Sequence, residues 1–131
     1  MMKKFLIVLP LLGLAACQAA EPPVTEGAAT RDAMNKATVA YNDCLMSAIN
    51  TVEIKDKLPP ALADEAFAAC AKEREALSAE VLKFRRIGYP SEAEDRSERT
   101  ARYSVTDLEA QIRERLLAIA AKRRLGKESG V

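Results

Sequence analysis

The sequence predicts an all-α protein, a small three- to four-helix bundle built on an antiparallel helical hairpin. Three observations lead there. The composition is 49% hydrophobic and 30% charged but only 5% aromatic, a balance that suits a folded helical domain rich in Ala, Leu, Glu and Arg rather than a disordered chain. Apolar residues recur at steps of three and four along three separate stretches, which is the period of a helix face. The prolines and glycines gather between those stretches, where a chain changes direction. A length of 131 residues allows one domain, and a domain this small buries too little surface to be very stable without covalent help.

The first element is a leader. Lys3 and Lys4 precede an apolar run from Phe5 to Leu14, which ends in the small residues Ala15 and Ala16 before Cys17, the three-part form of an export signal. The run is shorter than the roughly 20 residues that cross a bilayer, and Pro10 and Gly13 weaken it further as a permanent helix. Leu14-Ala15-Ala16-Cys17 resembles the lipobox of bacterial lipoproteins. That resemblance implies a signal peptide over residues 1–16, cleavage before Cys17, and a diacylglycerol thioether with a further acyl chain on Cys17. Two or three acyl chains, at about 0.8 kcal/mol per buried methylene, hold a protein durably on a leaflet where one chain binds marginally. Gln18 stands where the aspartate that retains enteric lipoproteins at the inner membrane would be, so the same resemblance implies the outer membrane, facing the periplasm. Ordinary signal cleavage, with Cys17 lost or left as a spare thiol, is the rival reading, and a buried N-terminal helix is a weaker one.

With Cys17 acylated, Cys44 and Cys70 remain as an even pair in an oxidising compartment, where a disulfide is the default. The alternative is two small buried free thiols. Residues 17–29, with Pro22, Pro23 and Gly27, read as the lipidated cysteine and a tether. The helical domain is expected over residues 30–126 and a frayed tail over 127–131. Thr30 is the expected cap of the first helix, whose inward stripe runs Met34, Ala37, Tyr41, Cys44 with Leu45, Ala48 and Val52. Pro59 and Pro60 stop that pattern and suit the start of the next helix.

The second helix is expected as one piece from about Pro60 to Ile87, with Leu62, Ala66, Cys70, Leu77, Val81 and Phe84 inward and Gly88-Tyr89-Pro90 as its stop. Position 57, midway between Cys44 and Cys70, falls in the turn, so a hairpin brings the two sulfurs level. Alanines at 37, 40, 48, 63, 66 and 69 let the helices approach closely enough for a bond, which would contribute about 2 to 4 kcal/mol. The fold class is thereby a disulfide-stapled hairpin plus one or two further helices. Ser91 with Glu94, and Thr106 with Glu109, fit capping boxes, with acidic residues four places ahead of arginines between 92 and 102. Val105, Leu108, Ile112, Leu116, Ile119 and Ala120 form the last inward face, and Gly126 is its expected end.

The full chain carries a net charge of +1. Residues 17–80 hold six basic and eleven acidic side chains, whereas 81–131 hold twelve basic and eight acidic. Lys122, Arg123, Arg124 and Lys127 form a cluster near a helix C-terminus. Cations there oppose the negative end of the helix dipole, and that plain role competes with binding an anionic envelope component such as lipopolysaccharide or peptidoglycan. Nucleic acid is a poor partner for an exported chain whose basic cluster has no interleaved aromatics. With no histidine, the commonest general base and metal ligand are missing, and no nucleophile elbow, phosphate loop or C-x-x-C pair occurs. Asp64/Glu65 and Glu73/Glu75 read as solvated helix carboxylates. The expectation is a non-enzymatic interaction or structural module with no cofactor or metal, bound to the membrane by its lipid and to another envelope protein.

Overall fold

The computed structural model describes residues 25–130. The leader, Cys17 and residues 18–24 of the expected tether lie outside the described residues. The chain forms α1 (Glu26–Thr51), α2 (Pro59–Ala69), α3 (Ala71–Gly88) and α4 (Glu94–Glu128). The order is up, down and up, with α2 and α3 together making the descending leg. α1 packs on α2, α3 and α4, and α4 packs on α2 and α3. No described helix is long and apolar enough to cross a membrane.

α1 starts earlier than Thr30. Thr25 is its cap, accepting from the Ala28 amide at 3.2 Å, and Glu26 in the first turn complements the dipole. Thr30 is instead buried inside the helix, its hydroxyl donating to the Glu26 carbonyl at 2.8 Å. The helix reaches back to Thr25 because Glu26, Ala28 and Ala29 behind it favour the helix. Pro59 and Pro60 occupy the first turn of α2, where an absent amide hydrogen costs nothing.

The expected helix from Pro60 to Ile87 is broken at Cys70, which closes α2 and opens α3 with φ −105° and ψ 24°. The Cys44–Cys70 disulfide holds the two Cα atoms 5.9 Å apart. Cα atoms stand about 2.3 Å from their helix axis, so this separation suits helices packed at the ordinary distance of roughly 8–10 Å, and the descending leg is interrupted at its bonded residue. α4, by contrast, is one helix of 35 residues. Its cap is Ala93, without a side-chain bond, so the Ser91–Glu94 box does not form. Glu94 pairs with Arg86, and Glu92 accepts from Arg85 at 2.7 and 2.8 Å and from Ser97 at 2.7 Å. Thr106 and Glu109 lie in the helix interior, and the helix passes Gly126 to end at Glu128. Lys127 and Glu128 are therefore helical rather than part of a frayed tail.

The core joins Tyr41, Leu45 and Ile49 of α1 to Leu62, Ala63 and Ala66 of α2, Leu77 of α3, and Val105, Ile112, Leu116 and Ala120 of α4, with Cys70 among them. Met34, Ala37, Cys44, Ala48, Val52, Val81, Leu108 and Ile119 pack around it, partly buried. Burying a side chain the size of Leu or Ile is worth about 1.5–3 kcal/mol, and the alanines on α2 let α1 come close.

Candidate functional site

At mid-height the three legs meet around one cystine and one polar network. Cys70 is fully buried and Cys44 partly so. One turn beyond Cys70, Glu73 lays its Oε2 3.6 Å from Cys44 Sγ. The two sulfurs and this carboxylate oxygen all lie within 4.8 Å of one another. Asp64 and Glu65, grouped with Glu73 and Glu75 in the sequence, do other work: Asp64 pairs with Arg113 at 2.8 Å and Glu65 with Lys57 at 2.6 Å.

Beside the cystine, Tyr41 of α1, Arg74 of α3 and Glu109 of α4 close a network that the sequence did not suggest. The Tyr41 hydroxyl donates to Glu109 Oε1 at 2.7 Å. Arg74 grips the same carboxylate, Nε to Oε1 at 2.6 Å and a terminal nitrogen to Oε2 at 3.2 Å. Burial pushes the Tyr41 hydroxyl well above its ordinary pKa, and Glu109 adds to the shift. Burial also works to raise the Glu109 carboxyl, but the bonds from Arg74 and Tyr41 outweigh it and hold the group below the usual carboxylate range. The hydrogen bond to Glu109 raises Arg74 as well. All three groups are thereby moved away from neutrality, which makes a lock between helices and a poor proton relay. A tyrosine on an otherwise aliphatic stripe was the sequence's one hint, since a buried phenol needs a partner.

The basic cluster is dispersed by the fold. A terminal nitrogen of Arg123 donates to the carbonyls of Ile49 and Val52 at 2.6 and 3.0 Å, capping α1 from across the bundle. Lys127 reaches the Lys55 carbonyl at 3.3 Å, and Arg124 pairs with Glu128 at 3.0 Å. Lys122 is exposed. A cavity of about 400 Å³ lies at the opposite end between Met34, Val81, Phe84, Tyr89 and Ala101. There Arg85 stacks on the Tyr89 ring at 3.8 Å while bonded to Glu92, so its charge is already satisfied. Arg85 and Ser97 draw the Glu92 carboxyl down to about 2.

No protein-family model, curated protein or solved structure matches this chain.

Proposed function

We propose that this protein is a lipid-anchored module of the bacterial cell envelope that acts by presenting a rigid helical surface to another envelope protein, without catalysis. The observation that carries the reading is the Cys44–Cys70 disulfide at the centre of the bundle, taken with the lipobox-like Leu14-Ala15-Ala16-Cys17. A cystine fits an exported chain. The tether from Cys17 to Thr25 spans at most about 28 Å when extended, so α1 would begin near the leaflet and the α1–α2 turn would face away from it. The mid-height lock and stacked legs support a scaffold role, because their titratable groups are fixed in one protonation state over the neutral range.

Anionic envelope polymers are the less favoured partner, because Arg123 and Lys127 are committed to backbone carbonyls. Mass spectrometry of the membrane-bound protein should find an acylated N-terminal Cys17. An unacylated N-terminus, or intact Met-led chain in the cytosol, would overturn the anchor. Crosslinking in the native membrane should capture one defined envelope protein at all salt concentrations. Envelope retention of a Cys17→Ser form that falls steeply with salt, and is lost when Lys122, Arg123 and Arg124 are replaced, would transfer the reading to a polymer ligand.

A further inference from the structure

Among the described residues of the oxidised protein, no side chain or amide donates to the Glu73 carboxylate. Its Oε2 faces Cys44 Sγ at 3.6 Å, but a cystine sulfur carries no proton to share. The guanidinium next to it in sequence, Arg74, is turned to Glu109. The contact gains its use when the sulfurs become thiolates. We propose that, on reduction of the cystine, Cys44, Cys70 and Glu73 form a binding site for a soft divalent metal ion of the zinc type.

The donor set and its spacing fit that ion. Zinc takes thiolate sulfur at about 2.3 Å and carboxylate oxygen at about 2.0–2.2 Å, and tetrahedral angles then set neighbouring donors roughly 3.5–3.8 Å apart. Glu73 Oε2 and Cys44 Sγ already stand at 3.6 Å, and all three donors lie within 4.8 Å of one another. From a Cα separation of 5.9 Å the two sulfurs need only rotate apart to admit the ion, which then replaces the S–S bond as the tie between α1 and the descending leg. Cys70 and Glu73 are three residues apart across the α2–α3 junction and so project to one side. Two thiolates select against calcium and magnesium, which ask for six or more oxygens. Three protein ligands leave a fourth position open to water or to a ligand from a partner. Cys44 and Glu73 are partly exposed, which gives the ion a way in.

Reduction takes two electrons from an external dithiol. Its first thiolate attacks Cys44 Sγ, the accessible sulfur, breaking the disulfide and releasing Cys70 as thiolate. Its second thiol then displaces Cys44, so the reagent leaves as a cyclic disulfide and both cysteines are free thiols. Binding of the ion expels the two thiol protons to solvent, so affinity rises with pH.

The test uses the purified chain, reduced by a phosphine in metal-free buffer, and Cd²⁺ as the probe, with Zn²⁺ in competition. The expected result is a thiolate-to-metal charge-transfer band that saturates at one ion per chain, is absent from the oxidised protein and is displaced by Zn²⁺. Glu73→Gln should weaken binding by tenfold or more, while Glu75→Gln, at an exposed position outside the donor cluster, should change it less than twofold. Far-UV circular dichroism of the same samples should show the helices retained, or restored by the ion. No band, two chains per ion, equal affinity in Glu73→Gln, or helix lost on reduction and not regained with Cd²⁺ would each overturn the proposal.

Discussion

Between Ala66 and Glu75 the chain contains no glycine, proline or asparagine, and eight of the ten residues are alanine or charged, yet the helix breaks there at Cys70. Between Glu94 and Glu128 the chain offers an internal Thr106–Glu109 capping box and Gly126, yet α4 continues through both. Local propensity predicts the reverse of each outcome. The difference is what each segment is bonded to. α2–α3 is tied covalently at Cys70, the residue of the break, to Cys44 of α1. α4 rests on both other legs along its length, and its continuous apolar face outweighs interior signals worth about 1 kcal/mol each.

Removing the tie makes the largest break in that comparison. Reduction in the presence of a chelator, or the double change Cys44→Ser with Cys70→Ser, should cost about 2–4 kcal/mol of stability, read as a lower melting temperature. The amides of Ala71 to Glu73 should at the same time become slower to exchange as the two pieces merge. A break that persists unchanged would mean that packing, not the cystine, sets it.

Next in size is the lock that spans all three legs. Tyr41→Phe removes one bond from a partly buried carboxylate and should cost about 1–3 kcal/mol in denaturant unfolding. The upward-shifted phenol ionisation should also disappear from the tyrosine titration, because the group that carries it is gone. In the native protein the raised Tyr41 pKa means that its contribution is full below pH 10.0, its unfolded value, and is lost as the pH rises beyond it.

Acid acts through the opposite sign. Glu92 falls from 4.5 to about 2 in the fold, so its contribution is present above pH 4.5 and is lost as the pH drops towards 2. Glu109, also lowered, follows the same direction. Melting temperature should fall over that window, and Glu92→Gln should flatten the fall while leaving the alkaline side unchanged.

The smallest effects separate used caps from unused ones. Thr25→Ala should cost about 0.5–1 kcal/mol, because its hydroxyl holds the first turn of α1. Ser91→Ala should be silent within about 0.5 kcal/mol, because α4 starts beyond it. Equal losses would show that the Ser91 box forms in solution.

Much of the architecture was legible beforehand. The stripe from Met34 to Val52, the Pro59-Pro60 turn and the face from Val105 to Ala120 are local patterns of period 3.6, and the levelling of Cys44 with Cys70 follows from counting residues to a turn. The candidate site was less so. Tyr41, Arg74 and Glu109 are separated by 33 and 35 residues in sequence, and each alone reads as core, surface charge or capping box. The basic cluster misled in the same way: Arg123 looks free until α1 ends beneath it.

By itself the sequence determined helical identity, leg order, the turn positions and which cysteines could be level, since periodicity and chain-breaking residues act within a few neighbours. Only the tertiary structure decided where helices start, break and continue, and which charges meet. Those outcomes depend on contacts between residues far apart in the chain, whose combined energy exceeds the local preferences they override.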